Sequence, residues 1–107
     1  MAINPFELFK QFGDLQERMN ELQGRLARVS AVGSAGGGMV QVELNGRLEA
    51  IRVVVSPEAV DPADIPMLQD LLRAALSDAL VKIKEKIREE VSSLTGGLPI
   101  PPGFLGM

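Results

Sequence analysis

The sequence predicts an α+β fold in the order helix, three-stranded antiparallel sheet, helix (αβββα). Three observations predict it. An apolar heptad stripe runs unbroken over residues 8 to 29, an alternating apolar run around Asn45-Gly46 reads as a hairpin, and a second helical stripe runs from Leu68 to Leu94.

The first stripe is Leu8, Phe12, Leu15, Met19, Leu22, Leu26 and Val29, spaced alternately four and three, the a/d pattern of a helix that packs along one seam. Asn4 caps it and Pro5 occupies its first turn, so the helix is expected from about Pro5 to Arg28. Asp14 with Arg18 and Glu21 with Arg25 place an acid four residues before a base on its outer faces.

A first strand is expected around Val29 to Ala35, turned by Gly36-Gly37-Gly38 into a second, Met39 to Leu44. Asn45-Gly46 is the preferred two-residue type I′ turn, which would pair Leu44 with Arg47. That register puts Val40, Val42, Leu44, Ile51, Val53 and Val55 on a core face, and Met39, Gln41, Glu43, Leu48, Ala50, Arg52 and Val54 on the other. Residues 56 to 66 hold three prolines and three acids and read as a connection, with Asp61 or Asp64 capping the second helix. That helix carries Leu68, Leu71, Leu72, Ala75, Leu76, Ala79, Leu80, Ile83, Ile87, Val91 and Leu94, a stripe that is wide at first and narrow later. Gly96-Gly97 and the prolines after them end it. The chain thus reads as one domain, 1-95, with a Pro/Gly-rich tail, 96-107, expected to be mobile.

Composition removes whole classes of function. Among 107 residues there is no cysteine and no histidine, so thiolate chemistry, disulfides, imidazole acid/base catalysis and the usual nitrogen metal ligand are absent. No serine lies in a Gly-x-Ser-x-Gly context, and Glu89 and Glu90 diverge from adjacent helix positions. The glycine run lacks the Lys and Ser/Thr of a phosphate loop and precedes a strand, so it reads as a hairpin turn. No enzyme, cofactor or metal site is expected. Nor does any apolar run approach the roughly 18 residues of a membrane span, and no signal peptide opens the chain, so the expected compartment is the cytoplasm.

Helices of ~24 to 30 residues span roughly 36 to 45 Å, whereas strands of ~8 residues span about 27 Å. The helices must therefore overhang the sheet, in an arm that combines the start of the first with the end of the second. One sheet face still offers Met39, Leu48, Ala50 and Val54, which a two-fold dimer would bury; the competing reading is ordinary surface with scattered apolar atoms.

Net charge is -3, the wrong sign for coating nucleic acid by bulk electrostatics. Positive charge concentrates in Lys82, Lys84, Lys86 and Arg88, which flank the Ile83/Ile87 seam. Lys10, Arg18 and these four balance Glu7, Asp14, Glu17, Glu85, Glu89 and Glu90, so the arm is neutral and the body carries the excess. Two readings of the cluster stand: a contact for phosphates, or seam-flanking residues that cover apolar surface and pair with acids of the first helix.

The chain as a whole resembles the YbaB/EbfC family of nucleoid-associated proteins. The resemblance rests on a Gln/Glu/Met-rich first helix, Gly36-Gly-Gly-Met-Val-Gln-Val-Glu-Leu-Asn-Gly46, Ile51-Arg-Val-Val-Val-Ser-Pro57, Asp70-Leu-Leu-Arg-Ala-Ala-Leu-Ser-Asp-Ala-Leu80 and the terminal Pro101-Pro-Gly-Phe104. It implies a bacterial, tweezer-like homodimer that holds double-stranded DNA near projecting helices with little sequence discrimination, in the nucleoid, and affects nucleoid organisation and gene expression. On this reading Lys10, Arg18, Lys82, Lys84, Lys86 and Arg88 contact DNA, and Met39, Leu48, Ala50 and Val54 form the dimer interface. The alternative is a protein-interaction adaptor linked to DNA repair or replication, gripping its partner through the arms or through Phe104, Leu105 and Met107 of the tail.

Overall fold

The computed structural model describes residues 4–94. The tail expected at 96-107 lies outside the described residues. The elements follow in the expected order: α1 (Pro5–Arg28), β1 (Ser30–Ala35), β2 (Val40–Asn45), β3 (Ala50–Val55), a single 3₁₀ turn (Pro57–Ala59) and α2 (Ile65–Leu94). The strands form one antiparallel sheet in the order β1-β2-β3, with β1 and β3 at its edges.

Local chemistry fixes both helix starts. Asn4 Oδ1 accepts the Phe6 amide at 3.0 Å, satisfying one amide that the first turn leaves unpaired. Of the two candidates for capping α2, Asp64 does so, its Oδ1 accepting the Met67 amide at 3.2 Å, while Asp61 Oδ1 takes the Ala63 amide in the preceding turn. Of the two ion pairs expected on α1, Glu21 with Arg25 forms at 3.2 Å.

α2 lies across β1 and β2. Ala75, Ala79, Ile83, Ile87 and Val91 of the helix bury against Ala31, Val40, Val42 and Leu44 of the strands, with Ala59 closing one end. The small residues set the spacing. A Cβ on Gly33 would overlap Ala75 O and Ala79 N, so only glycine lets the helix backbone approach β1 this closely. The triglycine turn behaves as expected, with Gly36, Gly37 and Gly38 all at positive φ (64°, 68° and 93°).

The Asn45-Gly46 turn does not. Leu44 pairs with Ala50, not Arg47, after a register shift between Glu43 and Leu44, and the loop is closed by Asn45 N–H donating to Glu49 O at 3.0 Å. Leu48, not Gly46, takes the left-handed conformation (φ 61°). Two local demands outweigh the two-residue turn. The buried Asn45 accepts the amides of Arg47 and Glu49 on Oδ1 (2.9 and 3.0 Å) and donates from Nδ2 to Glu49 Oε1 (2.9 Å), which organises a wider loop. Gly46 meanwhile donates its amide to both Leu26 O and Val29 O at 2.9 Å, satisfying carbonyls at the end of α1. A Cβ at Gly46 would sit 2.5 Å from Leu26 O, so glycine is needed there for close approach and not for its φ.

The core face is also narrower than expected. Val40, Val42 and Leu44 are buried, but Ile51, Val53 and Val55 remain 52%, 53% and 37% exposed, because α2 sits over β1 and β2 and leaves β3 uncovered. α1 contributes no fully buried residue: Leu22, Leu26 and Val29 pack at the core margin, and its first half projects, giving a described chain 72 Å long and about 20 Å across.

Candidate nucleic-acid interface

α2 runs antiparallel to β1, and its side chains reach around that strand's outer edge. Three positions spaced by four do this, so they share one flank of the helix. Asp78 Oδ2 accepts the Ser34 amide at 3.0 Å, Lys82 Nζ donates to Val32 O at 3.3 Å, and Lys86 Nζ donates to Ser30 O. Lys82 also pairs with Asp78 at 3.0 Å. The Ser34 amide, followed by Lys82, holds the Asp78 carboxyl below the usual carboxylate range. Alternate backbone groups of β1, which β2 cannot reach, are thereby satisfied by charged side chains.

The structure does not gather the six expected DNA-contacting bases into one patch. Lys82 and Lys86 stand at the β1 edge, spending one donor each on a strand carbonyl while remaining exposed. Lys84 is half-buried on the opposite flank of α2, and Arg88 is exposed, 3.7 Å from Glu85. Lys10 and Arg18 ride on the projecting half of α1, roughly 27 and 15 Å along the helix from Arg28 at 1.5 Å per residue. All of Lys10, Arg18 and their neighbours from Asn4 to Asn20 are exposed. The expectation that seam-flanking bases pair with acids of α1 is not met for Lys82 or Arg88, whose carboxylate partners lie on α2 itself.

Arg28 was not among the expected contacts. It precedes by two residues Ser30, whose carbonyl holds Lys86 at the β1 edge. In the sequence Arg28 is a base in the last turn of a helix, a position that the helix dipole already explains.

The residues expected to line a dimer do not share one face. Met39 packs half-buried against the core, and Ala50, moved by the register shift, lies opposite Leu44 on the α2 side. Leu48 (44% exposed) is in the loop, and Val54 is alone of the four on the open sheet face, beside a cross-strand Glu43–Arg52 pair at 3.4 Å. The larger apolar exposure is at the β3 edge: Ile51, Val53 and Val55, with Leu76 exposed on the flank of α2 away from β1. Among the described residues there is no cluster of three potential metal-ligating side chains, and no helix is long and apolar enough to cross a membrane.

An αβββα subunit with a projecting helical arm defines a structural class, and the crystal structure of an uncharacterized protein from Helicobacter pylori shares that fold. The TM-score is 0.72 at 20% identity, over 89% of this chain and 100% of that one, a likeness of fold. Sequence comparison goes further. The model of the YbaB/EbfC DNA-binding family matches residues 1–98, and the chain belongs to that family. A nucleoid-associated protein of Dictyoglomus turgidum is 45% identical over 94% of this chain and 97% of its own length. One of Granulibacter bethesdensis is 46% identical over 91% of each.

Proposed function

We propose that this protein is a non-enzymatic, nucleoid-associated homodimer that binds double-stranded DNA with low sequence specificity, and so affects nucleoid organisation and gene expression from the cytoplasm. Membership of a DNA-binding family supports the ligand. The observation that carries the mechanism is the β1 edge, where Lys82 and Lys86 stand exposed on one flank of α2, each on a strand carbonyl, with Arg28 two residues before Ser30 in the chain, in a protein of net charge -3. The Lys86 ammonium, on one strand carbonyl, keeps two further donors for phosphate oxygens and Lys82, which also pairs with Asp78, keeps one, and such contacts read the DNA backbone, not base edges. Lys84, Lys10 and Arg18 would extend the footprint along the arm.

The homodimer reading rests on β3. Six consecutive exposed residues, four of them Ile or Val, form an unpaired strand edge, and a second copy of β3 is the self-complementary cover that two-fold symmetry supplies. In the dimer two arm bases would face the duplex together. If the dimer contacts six to ten phosphates, affinity for unrelated duplexes should fall by ~10³ to 10⁵ between 50 and 200 mM salt. Affinity that hardly moves over that range would remove the electrostatic reading.

The adaptor reading keeps one specific observation in its favour, the exposure of Phe6, Phe9 and Phe12 at 84%, 79% and 66% on α1. A protein partner gripping the arm would lose affinity in Phe9→Ala while DNA binding stayed intact.

A further inference from the structure

In an Asn-Gly pair a backbone nitrogen can attack the preceding side-chain amide with little hindrance, because glycine has no Cβ to obstruct the approach. β2 ends on such a pair, Asn45-Gly46, inside the wider loop that leads to β3. The Asn45 side chain is 8% exposed and engaged at both polar atoms. Its Oδ1 accepts the Arg47 and Glu49 amides at 2.9 and 3.0 Å, and its Nδ2 donates to Glu49 Oε1 at 2.9 Å. Arg47 Nε lies 3.8 Å from the same Glu49 oxygen.

Two parts of this arrangement favour loss of the amide nitrogen. A pair of backbone N–H groups on Oδ1 stabilises the negative charge that gathers there when Cγ is attacked, as an oxyanion hole does. A carboxyl group on Nδ2 can relay a proton to it as it leaves. The remaining requirement, a free Gly46 nitrogen, is withheld by α1. Gly46 N–H donates to both Leu26 O and Val29 O at 2.9 Å, and a Cβ built on Gly46 would stand only 2.5 Å from Leu26 O. Leu22, Leu26 and Val29, packed at the core margin, hold that end of the helix down. Because α1 has no fully buried residue, it is the helix that lifts most readily.

We infer that Asn45 is a self-deamidation site, primed by the Arg47 and Glu49 amides and the Glu49 carboxyl, and held shut by the end of α1 on Gly46. When α1 lifts, the Gly46 nitrogen gives its proton to water and bonds to Asn45 Cγ, and the Cγ–Nδ2 bond breaks. Nδ2 leaves as ammonia with a proton that Glu49 relays from water. Water then opens the cyclic imide at either carbonyl. Aspartate results when the new N–Cγ bond breaks, and isoaspartate when the original peptide bond does. Aspartate sets a second carboxylate against Glu49 where Nδ2 now bonds it, and isoaspartate adds a methylene to the main chain of the hairpin. Either product loosens the loop that sets the register of β3, so a passing movement of α1 becomes a lasting change in the sheet. This inference is independent of the DNA-binding reading.

The test follows residue 45 of the full chain by peptide mass spectrometry and ammonia release, beside hydrogen exchange of the Gly46 amide. Urea below the unfolding midpoint and Leu26→Ala are two ways to lift α1. By either, deamidation and Gly46 exchange should quicken by the same factor while the amides of β2 stay protected. Glu49→Gln keeps an acceptor for Nδ2 but cannot relay a proton, so it should slow deamidation of the folded chain ~100-fold and leave the fully unfolded chain unchanged. Faster Gly46 exchange without faster deamidation would overturn the inference, as would a Gly46 amide that exchanges only when the whole chain unfolds. A folded Glu49→Gln chain that deamidates as fast as the parent would overturn it too, reducing Asn45 to the ordinary lability of its dipeptide.

Discussion

The two edges of the sheet are built from similar lengths of strand and end in opposite chemistry. At β1, Asp78, Lys82 and Lys86 reach over from α2 and take up Ser34 N–H, Val32 C=O and Ser30 C=O. At β3 all six residues are exposed and Ile51, Val53, Val54 and Val55 present apolar surface. The difference follows from where one helix lies. Gly33, Ala75 and Ala79 draw α2 down onto β1 and β2, which lets its charged flank close one edge and withdraws its apolar flank from the other. One strand therefore faces solvent through charge, and the other has backbone and apolar groups still to be covered, the usual antecedent of strand-to-strand association.

The harshest way to break this asymmetry is to lift the helix. Gly33→Val places a side chain where Ala75 O and Ala79 N already stand, and is expected to cost about 3 kcal/mol or more, read as a lowered denaturation midpoint. Next comes the open edge. Val53→Asp puts a charge on a residue 53% exposed in the single chain, so it should leave the subunit folded while weakening self-association by ~100-fold, or about 3 kcal/mol, in sedimentation equilibrium. A variant that unfolds, or one that associates as tightly as the parent, would argue against β3 as the interface.

Smaller effects sharpen the charged edge. Lys82→Gln with Lys86→Gln keeps a donor for each strand carbonyl but removes two charges, so the salt slope of DNA binding should fall by about one per lost phosphate contact with little change in stability. Asp78→Asn tests the edge itself. The folded carboxyl titrates below its ordinary value, so its contribution is present above the unfolded pKa and is lost as pH falls through the lower folded one. Acid unfolding curves of the parent should thus show a loss of stability below the ordinary carboxylate range that is reduced in Asp78→Asn, together with faster exchange of the Ser34 amide.

Much of this was legible in the sequence where a local signal and the tertiary demand agree. The heptad stripe and Asn4-Pro5 give α1 to the residue, and the triglycine takes the positive φ values that only glycine accepts without strain. Asn45-Gly46 misleads because both residues answer non-local needs, Asn45 within a wider loop and Gly46 against Leu26 and Val29. That error moved Ala50 to the other face and with it part of the expected dimer surface. The exposure of Val53 and Val55 was illegible for a related reason: alternation tells which side of a strand is apolar, not whether the helix is wide enough to cover it. Among the candidate bases, spacing placed Lys82 and Lys86 on one flank, but only the packed sheet explains what holds them.

The most direct test of the account is salt-titrated binding to unrelated DNA duplexes by the parent protein and by Arg28→Gln/Lys82→Gln/Lys86→Gln, each checked for self-association at the same concentrations. The parent should bind tightly and with a steep salt dependence, and the variant, still self-associating, should bind more weakly and with a shallower slope. Equal binding by the two, with equal slopes, would contradict the claim that the charged edge is where this protein meets DNA.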